Sequence, residues 1–219
     1  MNSGLQDAFN LAWKLARGNR ELLETYTLER RSWAKKLLKA TRLVTYLATL
    51  RNPIAVAIRN WLMRKVAPHV EKKIIRAIGQ ISIQYPKSVI ASESGAFKGG
   101  PKAGMRAPNA PLEEPEKGKD LYTLWRKSGE LQLLLFGGSN PGPAMEKLAW
   151  RFESMGLKPI VISHDSVSRG AHRDPEGKAH AIYGVEKPAA YIIRPDLIVG
   201  HRSSPPDVLE IEQWFSRFS

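Results

Sequence analysis

The sequence predicts an α+β protein, a helical first part followed by a mixed α/β unit, and three observations carry that reading. Apolar residues recur at helical spacing from Leu5 to Ile78. A short, continuously apolar run at Leu131–Phe136 and a second at Pro159–Ser163 have the length and composition of buried strands, and Ala189–Arg194 and Ile198–Arg202 read as two further strands. Between these two regions, Ser92 to Pro115 is rich in Gly, Pro, Lys and Ser and poor in apolar side chains, as a linker would be. The expected division is therefore 1–90 helical, 91–115 linker and 116–219 α/β, with the working boundary near residue 105.

Each element has a local reason. Leu5 to Ala16 is a helix with Leu5, Ala8, Phe9, Ala12, Trp13 and Leu15 on a broad apolar face, and Gly18 ends it. Asn19 caps a second helix that reaches roughly to Leu50. Asn52 and Pro53 supply an N-cap and a first helical residue for a third helix ending near Val66. His69–Ile78 reads as a further short helix, and Gln80–Tyr85 alternates like an exposed strand. Beyond the linker, a strand at Leu131–Phe136, a helix from Pro143 stopped by Gly156 and a strand at Pro159–Ser163 form a βαβ unit. A helical turn over Gly177–Tyr183 follows, then two strands joined by a tight return at Pro195–Asp196. A last helix is expected with Ser204 as N-cap and Pro205 at its first position.

The order β-α-β-α-β-β-α is that of a thioredoxin fold, in which Pro188 would hold the cis-proline position. The dithiol position falls in Gly137–Gly142, which contains no sulfur, so the unit is redox-silent. The chain has no cysteine at all. Disulfides, thiolate nucleophiles and Cys-based zinc sites are excluded, in keeping with a reducing, cytoplasmic setting. Lys39, Arg42, Pro53 and Arg59 interrupt the apolar stretch Leu37–Val66, so no run approaches the roughly 20 residues of a membrane span. Residues 1–90 carry 17 Lys and Arg against 5 Asp and Glu, a balance of +12, whereas residues 91–219 carry 17 against 16, a balance of +1. That basic half complements an acidic partner surface, carboxylated substrates or nucleotide phosphates; nucleic acid is not the expected partner.

Other motifs read as structure. Gly137-Gly138-Ser139-Asn140-Pro141-Gly142 lacks the Gly-Lys-Ser/Thr ending of a phosphate loop. His172, Asp174 and His180 match no standard metal spacing, so no metal is expected. Ser163-His164-Asp165 are consecutive and cannot form a nucleophile–base relay, so no catalytic residue is assigned. The six tryptophans read as core.

The run Met1-Asn2-Ser3-Gly4-Leu5-Gln6-Asp7-Ala8-Phe9-Asn10 resembles the C-terminal flavin-contact motif of FAD-dependent aromatic hydroxylases of the phenol-hydroxylase type, G-x-N-x-G-x-x-D-A-x-N-L. Further matching stretches are Arg106-Ala107-Pro108-Asn109-Ala110, Tyr191-Ile192-Ile193-Arg194-Pro195-Asp196 and Gly200-His201-Arg202, which point to the subgroup with a thioredoxin-like C-terminal domain. The resemblance implies the C-terminal portion of such an enzyme. Met1, Asn2, Ser3 and Gly4 would bind the cofactor, with backbone N–H groups of a compact turn at the pyrimidine edge of FAD. It further implies NAD(P)H as co-substrate and a phenolic substrate hydroxylated with O2. No G-x-G-x-x-G fingerprint occurs in the chain, so residual FAD binding is expected to be weak and independent catalysis absent. Unpartnered helices would then favour a homo-oligomer. The competing reading is a non-enzymatic interaction module with a basic partner-binding half.

Overall fold

A computed structural model describes residues 2–78, 83–112, 120–125, 130–138, 142–164 and 171–218. Three helices come first, α1 (Asn2–Ala16), α2 (Arg20–Ala48) and α3 (Pro53–Ile78). The remaining elements are β1 (Ser92–Gly95), α4 (Leu121–Trp125), β2 (Gln132–Phe136), α5 (Gly142–Ser154), β3 (Ile160–Ser163), β4 (His172–Arg173), α6 (Lys178–Tyr183), β5 (Ala189–Ile193), β6 (Val199–Ser204) and α7 (Val208–Phe218). The chain is thus mixed α and β, as its periodicities predict.

The caps of the first helices form where the sequence places them. The Asn19 side chain accepts the Leu22 N–H at 3.1 Å, and the Asn52 side chain accepts those of Ile54 and Ala55. Three expectations are corrected. The helix at Pro53 does not end near Val66 but runs unbroken to Ile78, because Pro68 removes only one backbone donor and the helix continues on either side of it. Of the proposed strand Gln80–Tyr85, residues 80–82 lie outside the described residues and Gln84 makes only an isolated bridge to Met105. The cap of α7 is Asp207, whose carboxylate accepts the Glu210 N–H at 3.0 Å, not Ser204.

The six strands form one sheet in the order β1-β6-β5-β2-β3-β4. β2 pairs parallel with β3 through the α5 crossover, and β5 runs antiparallel to both β2 and β6. This is the strand arrangement expected from the βαβ unit and the hairpin. The peptide before Pro188 is trans, however; the cis X-Pro bond among the described residues is Ser204-Pro205. Every residue of β2 and β5 is buried because both faces of the sheet are covered. Leu133, Leu135, Ala190 and Ile192 face a layer built from α5, α7, Trp13 and Leu22. Leu134, Phe136, Tyr191 and Ile193 face Trp125, Ala179, Tyr183 and the segment around Ala107 and Ala110.

The stretch expected as a linker is packed into this fold. β1 pairs in register with β6, Ser92 opposite His201 and Gly95 opposite Ser204. Ala107, Ala110 and Leu112 belong to the core. Gly100 and Gly184, both with positive φ, let two loops touch: a Cβ on Gly100 would lie 2.0 Å from the Tyr183 carbonyl oxygen, and one on Gly184 2.4 Å from the Gly99 carbonyl carbon. Composition marked this segment as punctuation, yet its glycines serve close backbone approach.

Candidate functional site

Of the face that apolar periodicity selects in α1, Trp13 is buried, but Leu5, Phe9 and Leu15 are exposed, and Asn10 and Lys14 are buried beside Trp13. The inward polar residues have partners that the local pattern does not show. Glu29 of α2 accepts Asn10 Nδ2 and Lys14 Nζ, each at 2.8 Å, on Oε2. Arg194, at the end of β5, donates Nη1 to Glu29 Oε1 at 2.6 Å and Nη2 to Oε2 at 3.0 Å. The same guanidinium donates Nε and Nη2 to the two carboxylate oxygens of Asp196, at 2.9 and 2.6 Å. Asn10 Nδ2 also reaches Asp196 Oδ2 at 2.8 Å, and the Ser88 hydroxyl donates to Glu29 Oε1. Arg194 lies 5.1 Å over the Trp13 ring.

The result is a closed, neutral set of two cations and two carboxylates with almost no solvent contact. Burial pushes the Glu29 carboxyl up, but Arg194 and Lys14 together outweigh it and hold the group well below the ordinary carboxylate range. For Lys14, burial wins over the attraction of Glu29, with Arg194 adding to it, and the ammonium is pushed down to about 8. Arg194 is held charged because Asp196 and Glu29 outweigh the burial that opposes it.

This network stands behind the residues that the sequence nominates for the cofactor. Met1 lies outside the described residues. Asn2, Ser3 and Gly4 form the first turn of α1 rather than a separate compact turn before it, because the helix starts at Asn2. Arg30, adjacent to Glu29, holds that turn: Nη2 donates to the Ser3 carbonyl and hydroxyl oxygens at 3.3 Å, Nε pairs with Asp7, and Nη1 donates to the Tyr85 hydroxyl at 2.9 Å. A Cβ on Gly4 would meet nothing within 4 Å, and the first turn carries no acidic side chain. This helix N-terminus is therefore sterically open and keeps its positive end uncompensated by local carboxylates. Beside it, Gln6, Phe9, Arg106, Tyr122, Trp125 and Leu197 line a mostly apolar cavity of about 520 Å³.

The other sequence candidates remain structural. Asp174 accepts the His180 backbone N–H at 2.9 Å and lies 2.7 Å from its Nδ1, while His164 stacks on His180 at 4.0 Å. His172 is placed in β4, and among the described residues no cluster suited to a metal is formed. Ser163 is buried on β3, and Asp165 and residues 139–141 lie outside the described residues. Of the six tryptophans, Trp61 and Trp150 are exposed rather than core. Among the described residues no helix is long and apolar enough to cross a membrane. Sequence reasoning passed over Asn10, Lys14, Glu29 and Ser88. The one available signal was charged or amide side chains set among apolar neighbours in Asn10-Leu11-Ala12-Trp13-Lys14-Leu15.

Comparison with known proteins fits this geometry. An FAD binding domain family matches residues 1–41, the segment comprising α1 and most of α2. The chain is 31% identical over 207 residues to the 6-methylpretetramide 4-monooxygenase of Streptomyces rimosus, covering 90% of this chain and 37% of that protein. It is 26% identical over 219 residues to the pentachlorophenol 4-monooxygenase of Sphingobium chlorophenolicum, covering 93% and 39%. Among solved structures, the flavin-dependent monooxygenase PieE with FAD and substrate superposes with a TM-score of 0.64 at 19% identity, over 98% of this chain and 44% of that one. Over most of its own length the chain is thus similar to a part of FAD-dependent aromatic monooxygenases. It spans about two-fifths of the length of the curated relatives it matches.

Proposed function

We propose that the chain is the C-terminal portion of an FAD-dependent, NAD(P)H-using monooxygenase that hydroxylates phenolic rings, and that it is inactive by itself. The observation that carries the reading is the open first turn of α1, at the start of the segment matched by the FAD binding domain family. Backbone donors at that helix end, with Asn2, Ser3 and Gly4 around them, would hold the pyrimidine edge of the flavin, where partial positive charge favours an anionic ring. The flavin, when bound, supplies the redox and oxygen-transfer chemistry; these residues would only orient it. The α/β unit reads as thioredoxin-like and, lacking cysteine, serves support rather than electron transfer. We place the helical and α/β parts as separate domains, with the Gly/Pro-rich segment packed as part of the α/β one.

Titration with FAD, followed by flavin fluorescence, tests this. Weak binding that Gly4→Val abolishes and Lys98→Ala leaves unchanged is the expected result. Gly4 faces open space, so the valine obstructs a ligand without disturbing a packed neighbour. Equal binding by both variants and the parent chain would remove the site. The interaction-module reading is favoured by one observation, the apolar side chains exposed along α2 and α3, and it predicts a colourless chain.

A further inference from the structure

We infer that Arg194 and Asp196 are positioning residues for the first turn of α1, so that the α/β unit sets where the cofactor-contact helix stands. The inference rests on the reading of α1 given above. Its physical content lies in the network itself. Arg194 and Glu29 are 165 positions apart and meet in a two-pronged pair, and Glu29 in turn receives Lys14 and Asn10 from α1. The side chains of Lys14, Glu29 and Arg194 are wholly excluded from solvent. A planar fork fixes direction as well as distance, which an apolar contact does not.

Two features point from this pair to the helix end rather than to bulk stability. Asn10 uses one amide nitrogen to bridge Glu29 and Asp196, so α1 is tied to both elements at a single atom. Arg30, next to Glu29 in α2, reaches the Ser3 carbonyl and the Asp7 carboxylate, carrying the placement of α2 to the first turn. The turn that presents Asp196 also keeps Leu197 at φ 62°, a left-handed conformation a branched-chain residue adopts only when its surroundings hold it there. A silent α/β unit thereby acquires a role: it is the fixed frame against which the helix is registered.

Amide hydrogen exchange on the intact chain, without FAD, tests the inference. In Asp196→Asn, Arg194→Lys and Arg194→Met, exchange of the hydrogen-bonded amides of α1 that follow its first turn, Gln6 to Leu11, should rise at least tenfold more than that of β2 and β5 amides, which report any loss of overall stability. Arg194→Lys, which keeps the charge and loses the fork, should sit between the parent and Arg194→Met. Uniform acceleration across sheet and helix in all three variants would assign the network to general stability and overturn the inference, as would unchanged α1 exchange. FAD titration of the same variants is read separately. FAD binding that stays unchanged in variants whose α1 exchange rises selectively would sink the cofactor reading alone.

Discussion

Glu29 accepts hydrogen bonds from Asn10, Lys14, Ser88 and Arg194, and its side chain is wholly buried, out of reach of bulk solvent. Removing one charge from such a set leaves another buried and uncompensated, at a cost of about 3–5 kcal/mol. Glu29→Gln is therefore expected to lower unfolding stability by that amount in urea titration. Glu21→Gln, which breaks the exposed pair with Arg217, should cost under ~1 kcal/mol. The same groups set the acid limit. His180 and His201 are kept neutral, chiefly by burial, so their folded values lie below the ordinary 6.5. The unfolded chain takes up protons there that the fold refuses, and stability should begin to fall as pH drops below about 6.5. Glu29 and Glu93 are held below the ordinary 4.5 by their arginine partners, which outweigh burial. Their contribution is present above 4.5 and lost as pH falls below it, giving a second, steeper decline. Thermal midpoints measured between pH 7 and pH 3 should show both stages, and His180→Gln combined with His201→Gln should flatten the first.

At the level of elements, α2 and α3 divide into a part that belongs to the fold and a part that does not. The first half of α2 buries Leu22, Thr25, Glu29 and Arg30. Beyond it, Leu38, Leu43, Val44 and Tyr46 of α2 and Ile54, Ile58, Trp61 and Leu62 of α3 are exposed, with Arg59 Nη1 bonded to the Leu47 carbonyl between the two helices at 2.7 Å. From Arg31 to Val66 there are nine basic residues and no acidic one. Exposed apolar area drives association, while the like charges oppose it until salt screens them. Hydrophobic dye binding should accordingly be strong, and sedimentation should show oligomers that grow between 0.05 and 0.5 M salt, roughly the range over which the Debye length halves or more. Trp61→Ser with Leu62→Ser should reduce both signals. A monomer at every salt concentration with no dye binding would contradict this account of α2 and α3.

For the whole molecule, the α/β unit extends further toward the N-terminus than its composition suggests. β1 covers one edge of β6, and Trp214 Nε1 donates to the Ile90 carbonyl at 3.1 Å, closing α7 over the sheet. A segment comprising residues 83–219 should unfold cooperatively. One comprising 105–219 loses β1 and the Ile90 acceptor, exposes β6 as an edge, and should melt lower or without a cooperative transition. Equal thermal midpoints for the two segments would return the boundary to residue 105.

Asn19 and Asn52 cap helices where the sequence puts them, because capping is settled by a side chain and the three residues after it. β2, β3 and β5 were legible for a related reason: a strand buried on both faces is apolar, and Leu133-Leu134-Leu135-Phe136 and Ala189-Ala190-Tyr191-Ile192-Ile193 are. The run Asn2–Asn10, which resembles a flavin-contact motif, was legible as a local pattern too. β1 was not, since Ser-Glu-Ser-Gly has no strand signature and is fixed by the register of β6. The buried face of α1 was misjudged for the same reason. Periodicity selects Leu5, Phe9 and Leu15, and only the approach of Glu29, Arg194 and Asp196 makes Asn10 and Lys14 the inward side chains. Sequence determined the caps of α2 and α3 and the apolar strands β2, β3 and β5, which depend on neighbours within a few positions. Tertiary structure decided which charges are buried and which face of the helix meets them, because pairing between groups up to 186 positions apart has no local signature.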